Sequence, residues 1–99
     1  MPEFNKIIHE RSRLLILTHL ASNRDIEVSF NDIKNKLDFT PGNLSIQLKK
    51  LSEAEYINIS KSFRDNKPHT AVSITMKGIN ALNDYLEEME SLIKGLREG

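Results

Sequence analysis

The stretch Thr40–Thr75, with the sequence TPGNLSIQLKKLSEAEYINISKSFRDNKPHTAVSIT, decides the fold of this 99-residue chain. It opens with a strong helix-start signal. Thr40 can cap a helix, and Pro41 then occupies the first helical position, where its missing N–H costs nothing. At about 100° per residue, a set of leucines shares one narrow face, which must be the core face. These are Leu44, Leu48 and Leu51. We therefore predict a helix over residues 40–54.

The other face of this helix carries side chains of the kinds that read base edges and contact phosphates. The candidate DNA-contacting residues on it and at its start are Thr40, Gly42, Asn43, Ser45, Ile46, Gln47, Lys49 and Lys50. Any exposed helix face is polar, and two adjacent lysines are usually only solvated. Ile46 is less ordinary, because an isoleucine at the centre of an outward face needs a cover. Either a thymine methyl group or a partner protein could supply it.

Two short strands joined by a basic turn follow the helix. Residues 57–63 alternate apolar and polar side chains, as a strand with one buried face does, and residues 70–74 return as the second strand. The turn between them, 64–68, is polar. Candidate contacts with nucleic acid in this hairpin are Lys61, Arg64, Asn66, Lys67 and His69. A capped helix followed by a hairpin with a basic tip is the layout of a winged helix-turn-helix, and it is much more specific than either part alone.

The N-terminal third supplies the supporting elements. Residues 4–21 are rich in good helix formers and predict a first helix. Its centre, Leu14–Leu17, is apolar all round and should be buried on more than one side. Residues 26–30 alternate like a short strand. Asn31 is a suitable N-cap for a short helix over residues 32–37, so that 31–37 and 40–54 form the helix-turn-helix.

The last helix is predicted to begin after Thr75 as its cap and to reach about Leu96. Its apolar residues recur at gaps of 3, 4, 3, 4 and 3, the spacing of a short coiled coil. A helix of ~20 residues is ~30 Å long and would overhang so small a domain. We therefore predict a homodimer. Its expected interface comprises Ile79, Leu82, Leu86, Met89, Ile93 and Leu96, with Ile7 and Ile8 from the first helix. These regularly spaced apolar residues of the last helix form an apolar seam. Packing of this seam against the first helix of the same chain is the alternative.

The charge balance hides a separation along the chain. The 14 basic and 14 acidic residues cancel. However, residues 40–77 hold six basic and three acidic residues, whereas residues 84–99 hold two basic and five acidic ones. Local charge matters more than total charge for steering a polyanion. A local net charge of +3 in the first region and −3 in the second is therefore compatible with DNA binding.

Other classes of function find little support. No run approaches the ~18–20 apolar residues of a membrane span, no signal-peptide pattern is present, and there is no cysteine, so we expect a cytoplasmic protein. The histidines lack metal-ligand spacing and the four glycines stand singly, which predicts no metal site, no cofactor and no phosphate-cradling loop. Ser45 has no His/Asp constellation around it. We expect that the protein is not an enzyme.

Taken together, these features resemble the short winged helix-turn-helix transcriptional regulators of the MarR/ArsR-like group, common in archaea and bacteria. The resemblance covers nearly the whole chain. It rests on FNDIKNKLDFTPGNLSIQLKKLSEAEYI (30–57), KSFRDNKPHTAVSIT (61–75) and TMKGINAL (75–82). It implies a mainly α fold with a small β-hairpin (α+β), in a single domain over residues 1–99 with a long C-terminal dimerisation helix at 75–97.

The resemblance also implies a function. A homodimer would bind a pseudo-palindromic operator in double-stranded DNA, with helix 40–54 in the major groove and the wing, residues 61–69, on the backbone or in the minor groove. The alternative is a winged helix that serves as a protein–protein adaptor in a transcription assembly. The sequence identifies no small-molecule effector and leaves its existence open.

The sequence departs from the family pattern at three places. Glu55 stands where a left-handed glycine usually ends the recognition helix, at a cost on the order of 1 kcal/mol. The pair Asp65-Asn66 replaces Gly-Arg at the wing tip, which removes one cation. Ile79 replaces an arginine after Gly78 and lengthens the apolar seam. The second departure predicts a weaker phosphate contact by the wing.

Overall fold

The computed structural model describes residues 4–99, which form four helices and a three-stranded antiparallel sheet. The elements in chain order are α1 (Arg11–Ser22), β1 (Val28–Ser29), α2 (Phe30–Leu37), α3 (Pro41–Glu53), β2 (Ile57–Arg64), β3 (Lys67–Ile74) and α4 (Met76–Glu98). The strand order is β1-β3-β2, so that β3 lies at the centre of the sheet. The predicted α+β winged helix-turn-helix fold with a long last helix is confirmed.

One apolar core joins the helices to the sheet. Its largest fully buried side chains are Ile8, Ile16, Leu17, Leu20, Ile33, Leu44, Leu51 and Val72. Burial of a side chain of this size contributes ~1.5–3 kcal/mol. The three leucines on the inward face of α3 are all buried, as their spacing predicts. α3 is therefore held from one side, and its other side is left free.

The first helix is shorter than the predicted span of residues 4–21. α1 begins at Arg11, because the carboxylate of Glu10 caps the helix by accepting backbone N–H groups two and three residues further on. Upstream, the side-chain oxygen of Asn5 accepts the amides of Ile7 and Ile8. Side-chain acceptors thus satisfy backbone groups that a continuous helix would otherwise pair. The prediction of a helix from residue 4 is wrong for this reason.

The elements before α3 also differ in their limits. The strand predicted over 26–30 is reduced to the two residues of β1, and Ile26 is exposed. α2 begins at Phe30 because its N-cap is Ser29, whose hydroxyl accepts the backbone N–H of Asp32 at 3.1 Å. Asn31, the predicted cap, lies inside the helix. Serine and asparagine cap helices about equally well, so the pattern could not choose between them.

The wing hairpin is longer and tighter than predicted. β2 and β3 pair from Ile57↔Ile74 to Arg64↔Lys67, which leaves only Asp65 and Asn66 as the connection. Both residues have positive φ, 51° and 62°. Two-residue hairpin turns of this kind need a left-handed conformation at both positions, which Asp and Asn tolerate better than most side chains. The predicted five-residue turn over 64–68 is therefore replaced by a two-residue turn.

The last helix is fixed at its start and projects at its end. The hydroxyl of Thr75 accepts the backbone N–H of Gly78 at 2.9 Å, as the predicted cap requires. Gly78 has no room for a side chain, because an added Cβ would overlap the carbonyl oxygen of Tyr56. The molecule measures 58 × 25 × 21 Å. Its radius of gyration of 15.0 Å exceeds the ~13 Å of a compact chain of this length. No helix within residues 4–99 is long and apolar enough to cross a membrane.

Candidate nucleic-acid interface

The face of α3 opposite the core is open along its length. Its exposed residues are Gly42, Asn43, Ser45, Ile46, Lys49 and Lys50. Ile46 is 55% exposed at the centre of this face. A Cβ at Gly42 would meet nothing within 4 Å, so a bound molecule could come close to the helix backbone there. Thr40 is exposed too, but its hydroxyl accepts the backbone N–H of Asn43 at 3.2 Å and therefore serves first as the cap.

Gln47 differs from these neighbours because its side chain is half-buried and hydrogen-bonded at both ends. Its Oε1 accepts a hydrogen bond from Nη1 of Arg13 at 2.8 Å. Its Nε2 donates to Oδ1 of Asn43, one turn earlier on α3, at 3.1 Å. Sequence reasoning missed Arg13, since an arginine near the start of an apolar helix gives no sign of a partner 34 residues away.

Arg13 also connects α1 with the segment before it. The residue is only 8% exposed, and its Nε donates to the carbonyl oxygen of Ile7. Its Nη1 lies 3.6 Å from a carboxylate oxygen of Glu10. Burial alone would raise the pKa of Glu10, but the backbone N–H groups that it caps and the charge of Arg13 outweigh burial and hold that pKa below its usual range. The N-terminal segment, α1 and α3 are thus tied together by one guanidinium group.

The wing presents cations beside α3. The residues predicted to contact DNA from the wing are all exposed or half-exposed: Lys61, Arg64, Asn66, Lys67 and His69. Lys61 and Lys49 line the same groove, of about 340 Å³, between β2 and α3. Arg64 and Lys67 stand opposite each other at the last pair of the hairpin. Lys49 of α3 and Lys61 of the wing therefore lie on the same side of the molecule. Alternation along the strands places Arg64 and Lys67 together on the other face of the hairpin, at its tip.

Within residues 4–99, these cations have no carboxylate partners. In the described part of the chain the ion pairs are Arg13–Glu10 and Lys77–Glu55. No lysine or arginine of the α3 face or of the wing has an acidic oxygen within 4.0 Å among residues 4–99. Cations left free in this way are available to neutralise phosphates, which is the main source of affinity in nucleic-acid binding.

The exposure of Phe63 in the wing was not expected from the prediction of a half-buried strand. It is 77% exposed, although it alternates onto the same face of β2 as the buried Ile57 and the half-buried Ile59. The core covers the beginning of that face and ends before the tip. Alternation predicts which face a residue occupies, but it does not predict how far along the strand that face is covered.

The residues predicted for a dimer interface fall into three groups. Ile8 and Leu82 are buried within the chain itself, so their assignment to a surface is wrong. These two side chains pack in the core, where the N-terminal segment and the first half of α4 meet the rest of the domain. Half-buried at the edge of this packing are Ile7, Ile79 and Met89. Exposed on α4 are Leu86, Ile93 and Leu96, with Leu92 beside them.

Comparison with known proteins gives a consistent assignment. The sequence profile of a family described as the winged helix DNA-binding domain matches residues 12–93. An uncharacterized protein of Methanocaldococcus jannaschii is 36% identical over 91 residues, which are 92% of this chain and 97% of the relative.

Solved structures show the same architecture. A transcriptional regulator homologue from Pyrococcus horikoshii superposes with a TM-score of 0.84 at 31% identity, over 91% of this chain and 87% of that chain. A MepR variant of S. aureus bound to an oligodeoxyribonucleotide superposes with a TM-score of 0.73 over 88% of this chain and 62% of that chain. At 18% identity, the second match bears on the fold alone.

Proposed function

Because this chain belongs to the winged helix DNA-binding domain family, whose members are DNA-binding domains rather than enzymes, we propose that it acts as a transcriptional regulator. The proposed regulator is a homodimer that binds a pseudo-palindromic operator in double-stranded DNA. In this proposal α3 lies in the major groove, and the wing contacts the phosphate backbone or the minor groove. The protein would act in the cytoplasm, where such an operator would be found.

The observation that carries this proposal is the open face of α3. A major groove of B-DNA is ~12 Å wide and admits an α-helix whose outward side chains reach base edges. α3 offers an amide at Asn43 and an apolar group at Ile46. It also offers the ammonium groups of Lys49 and Lys50, which have no carboxylate oxygen within 4.0 Å among residues 4–99. These are groups for hydrogen bonding to bases, for contact with a thymine methyl and for phosphate neutralisation. Additional cations that lack a carboxylate partner in the described part of the chain lie on the adjacent wing.

The projecting half of α4 supports the dimer. Beyond Met89 its residues are exposed, and several of them are large and apolar. Within residues 4–99 of one protomer these apolar side chains stay exposed, whereas a second copy would cover them. A two-fold dimer also provides two α3 helices, which can enter successive major grooves if they are ~34 Å apart. Dimerisation and recognition of a two-fold symmetric site are therefore parts of one proposal.

The test is a fluorescence-anisotropy titration of the protein against duplexes from its own promoter region, repeated over a series of salt concentrations. With about eight phosphates engaged, the logarithm of the binding constant should fall against the logarithm of salt concentration with a slope near −7. Absence of binding, or binding that is indifferent to salt, would overturn the proposal.

A matched pair of variants locates the DNA-binding face. K49A/K50A should weaken binding to all duplexes and flatten the salt slope by about 0.9 for each phosphate that is no longer neutralised. K94A/R97A removes the same charge from the exposed end of α4 and should leave the slope unchanged. Equal effects of the two double variants would show that binding follows total charge and not the α3 face. The wing double variant R64A/K67A should act in the same direction as K49A/K50A.

The exposed side chains of Ile46 and Phe63 favour one alternative, a protein–protein adaptor in a transcription assembly. An adaptor would use these groups for a partner protein, and the surrounding lysines would only be solvated. In that case the combined variant K49A/K50A/R64A/K67A would retain its partner. The proposed regulator should instead lose DNA affinity and salt dependence with this variant while staying folded.

A further inference from the structure

The hydrogen bonds around Gln47 determine how α3 presents its amide groups. Arg13 has only N–H donors and no acceptor. The group of Gln47 that faces Arg13, at 2.8 Å from Nη1, must therefore be its carbonyl oxygen Oε1. The amide nitrogen of Gln47 then points the other way, toward Asn43.

The same logic continues to Asn43. Nε2 of Gln47 is a donor, so that the atom of Asn43 at 3.1 Å from it must be the acceptor Oδ1. This leaves Nδ2 of Asn43 as the free end of the chain of amides. Asn43 is exposed in the first turn of α3, where residues of a recognition helix meet base edges. Gln47 and Asn43 are four residues apart, the spacing at which side chains on a helix contact each other.

We propose that Arg13 is a positioning residue for DNA recognition: acting through Gln47, it fixes the amide of Asn43 so that α3 presents an N–H donor to the major groove. A donor pairs with the acceptors N7 and O6 of guanine or O4 of thymine, whereas cytosine offers only an amino donor there. The expected result is a preference for guanine or thymine over cytosine at the base that Asn43 contacts. This inference rests on the proposed DNA-binding function.

The burial of Arg13 fixes which end of the Gln47 amide faces the guanidinium group. The guanidinium group is held by the carbonyl oxygen of Ile7 and the carboxylate of Glu10 as well as by Gln47. It cannot turn away without leaving a buried charge short of partners, which is costly. Gln47 therefore has one low-energy orientation of its amide, although an exposed glutamine would otherwise adopt either.

Q47E is the decisive variant. A glutamate still accepts from Arg13, so the buried charge keeps its partner, but its second oxygen can only accept. Asn43 must then turn Nδ2 toward residue 47 and present Oδ1 outward. The preference at the contacted base should invert toward cytosine, whose amino group donates. The added negative charge should weaken binding to all duplexes, which does not alter the ratio between them.

The measurement is a set of anisotropy titrations against operator duplexes that differ by one base pair at a time. N43A first identifies the affected position, where the wild-type preference of about tenfold should disappear. R13M should abolish the preference at this position alone, and R13K, which still donates, should restore most of it. Salt slopes and thermal denaturation accompany each titration. A change in the base ratio at one position is not expected from a general loss of stability.

Each outcome separates the inference from the function on which it rests. If the wild-type protein binds no duplex, the proposed function fails. If it binds with sequence preference but Q47E keeps the wild-type base ratio at every position, the positioning by Arg13 is overturned. Q47E decides the matter even if R13M does not fold, because it leaves the buried guanidinium paired. An N43A variant with unchanged preferences at all positions would likewise refute the inference.

Discussion

Replacing Leu96 by glutamate is expected to dissociate the proposed homodimer without unfolding the protomer. Leu96 is 75% exposed near the end of α4, whereas Leu86, Leu92 and Ile93 are 38%, 39% and 41% exposed. The exposed parts of these four residues amount to about two complete side chains per protomer. At ~1.5–3 kcal/mol for each side chain buried, four such equivalents in a dimer contribute ~6–12 kcal/mol before the cost of association.

That gain is similar to the cost it must offset. Association of two proteins costs ~4–15 kcal/mol in lost translational and rotational freedom. The dimer is therefore sensitive to any one of these residues. L96E removes about 1.5 side-chain equivalents from the two protomers together, worth ~2–4.5 kcal/mol. The dissociation constant of the dimer should rise about 30-fold to 2,000-fold, more if the two glutamates repel each other.

The matched control is S91E. Ser91 is exposed on the same helix and lies on the side of the heptad opposite the apolar seam. It receives the same charge change, so S91E should leave the dissociation constant almost unchanged. Sedimentation equilibrium over a wide range of protein concentrations measures both variants, and circular dichroism confirms that both are folded. Equal dissociation constants for L96E and S91E, or a wild-type protein that is monomeric throughout, would refute the reasoning from the α4 seam.

Three further predictions concern single residues. E10Q removes the charged cap of α1 and should lower the free energy of unfolding by about 1 kcal/mol at neutral pH. Because the folded pKa of Glu10 is depressed, this difference should be constant above about pH 5 and shrink as pH falls below about 4; urea denaturation at several pH values measures it. E55G should raise the free energy of unfolding by about 0.5–1 kcal/mol, since φ at Glu55 is 65° and its exposed ion pair contributes little. G42A and G95A should each stabilise the fold by up to ~1 kcal/mol, because a Cβ meets nothing within 4 Å at either site. Only G42A should also weaken DNA binding, by crowding the approach to α3.

The contrary results are equally specific. An E10Q deficit that persists unchanged down to about pH 3 would show that the carboxylate charge is not what caps the helix. A destabilised E55G would mean that the Lys77 contact, 3.5 Å from Glu55, outweighs the backbone strain. Equal DNA affinity for G42A and G95A would argue that DNA does not approach the start of α3 closely.

Local signals in the sequence predicted the parts of the fold that are set locally. The caps at Thr40 and Thr75 depend on side chains bonding to amides three residues away, so the sequence pattern contains the whole interaction. The leucine spacing of α3 likewise fixes its buried face. The predicted start of the first helix was wrong because a competing local interaction decides it: the side chain of Asn5 accepts two following amides. This interaction gives a weaker signal in the sequence than a run of helix formers does.

The candidate site was predictable only in part for a different reason. The outward face of α3 follows from helical periodicity once the core face is known. The Arg13–Gln47 hydrogen bond joins α1 to α3 and depends on how the helices pack, which no spacing within one element encodes. Exposure of Phe63 and burial of Ile8 and Leu82 also depend on how far a neighbouring element extends. Such contacts need the tertiary structure.

The wing tip explains why dimerisation would matter to this protein in particular. The two-residue turn consists of Asp65 and Asn66, between Arg64 and Lys67. The tip therefore carries a carboxylate and an amide where the MarR/ArsR-like pattern has a glycine and an arginine. A carboxylate facing phosphates offsets part of the attraction of Arg64 and Lys67. A single protomer should therefore bind its half-site only weakly through the wing and should depend mainly on α3. Joining two such domains makes the second contact intramolecular, which can raise affinity by a factor of about 10²–10⁴ without any new group. In the proposed regulator the α4 seam thus compensates for the weak wing.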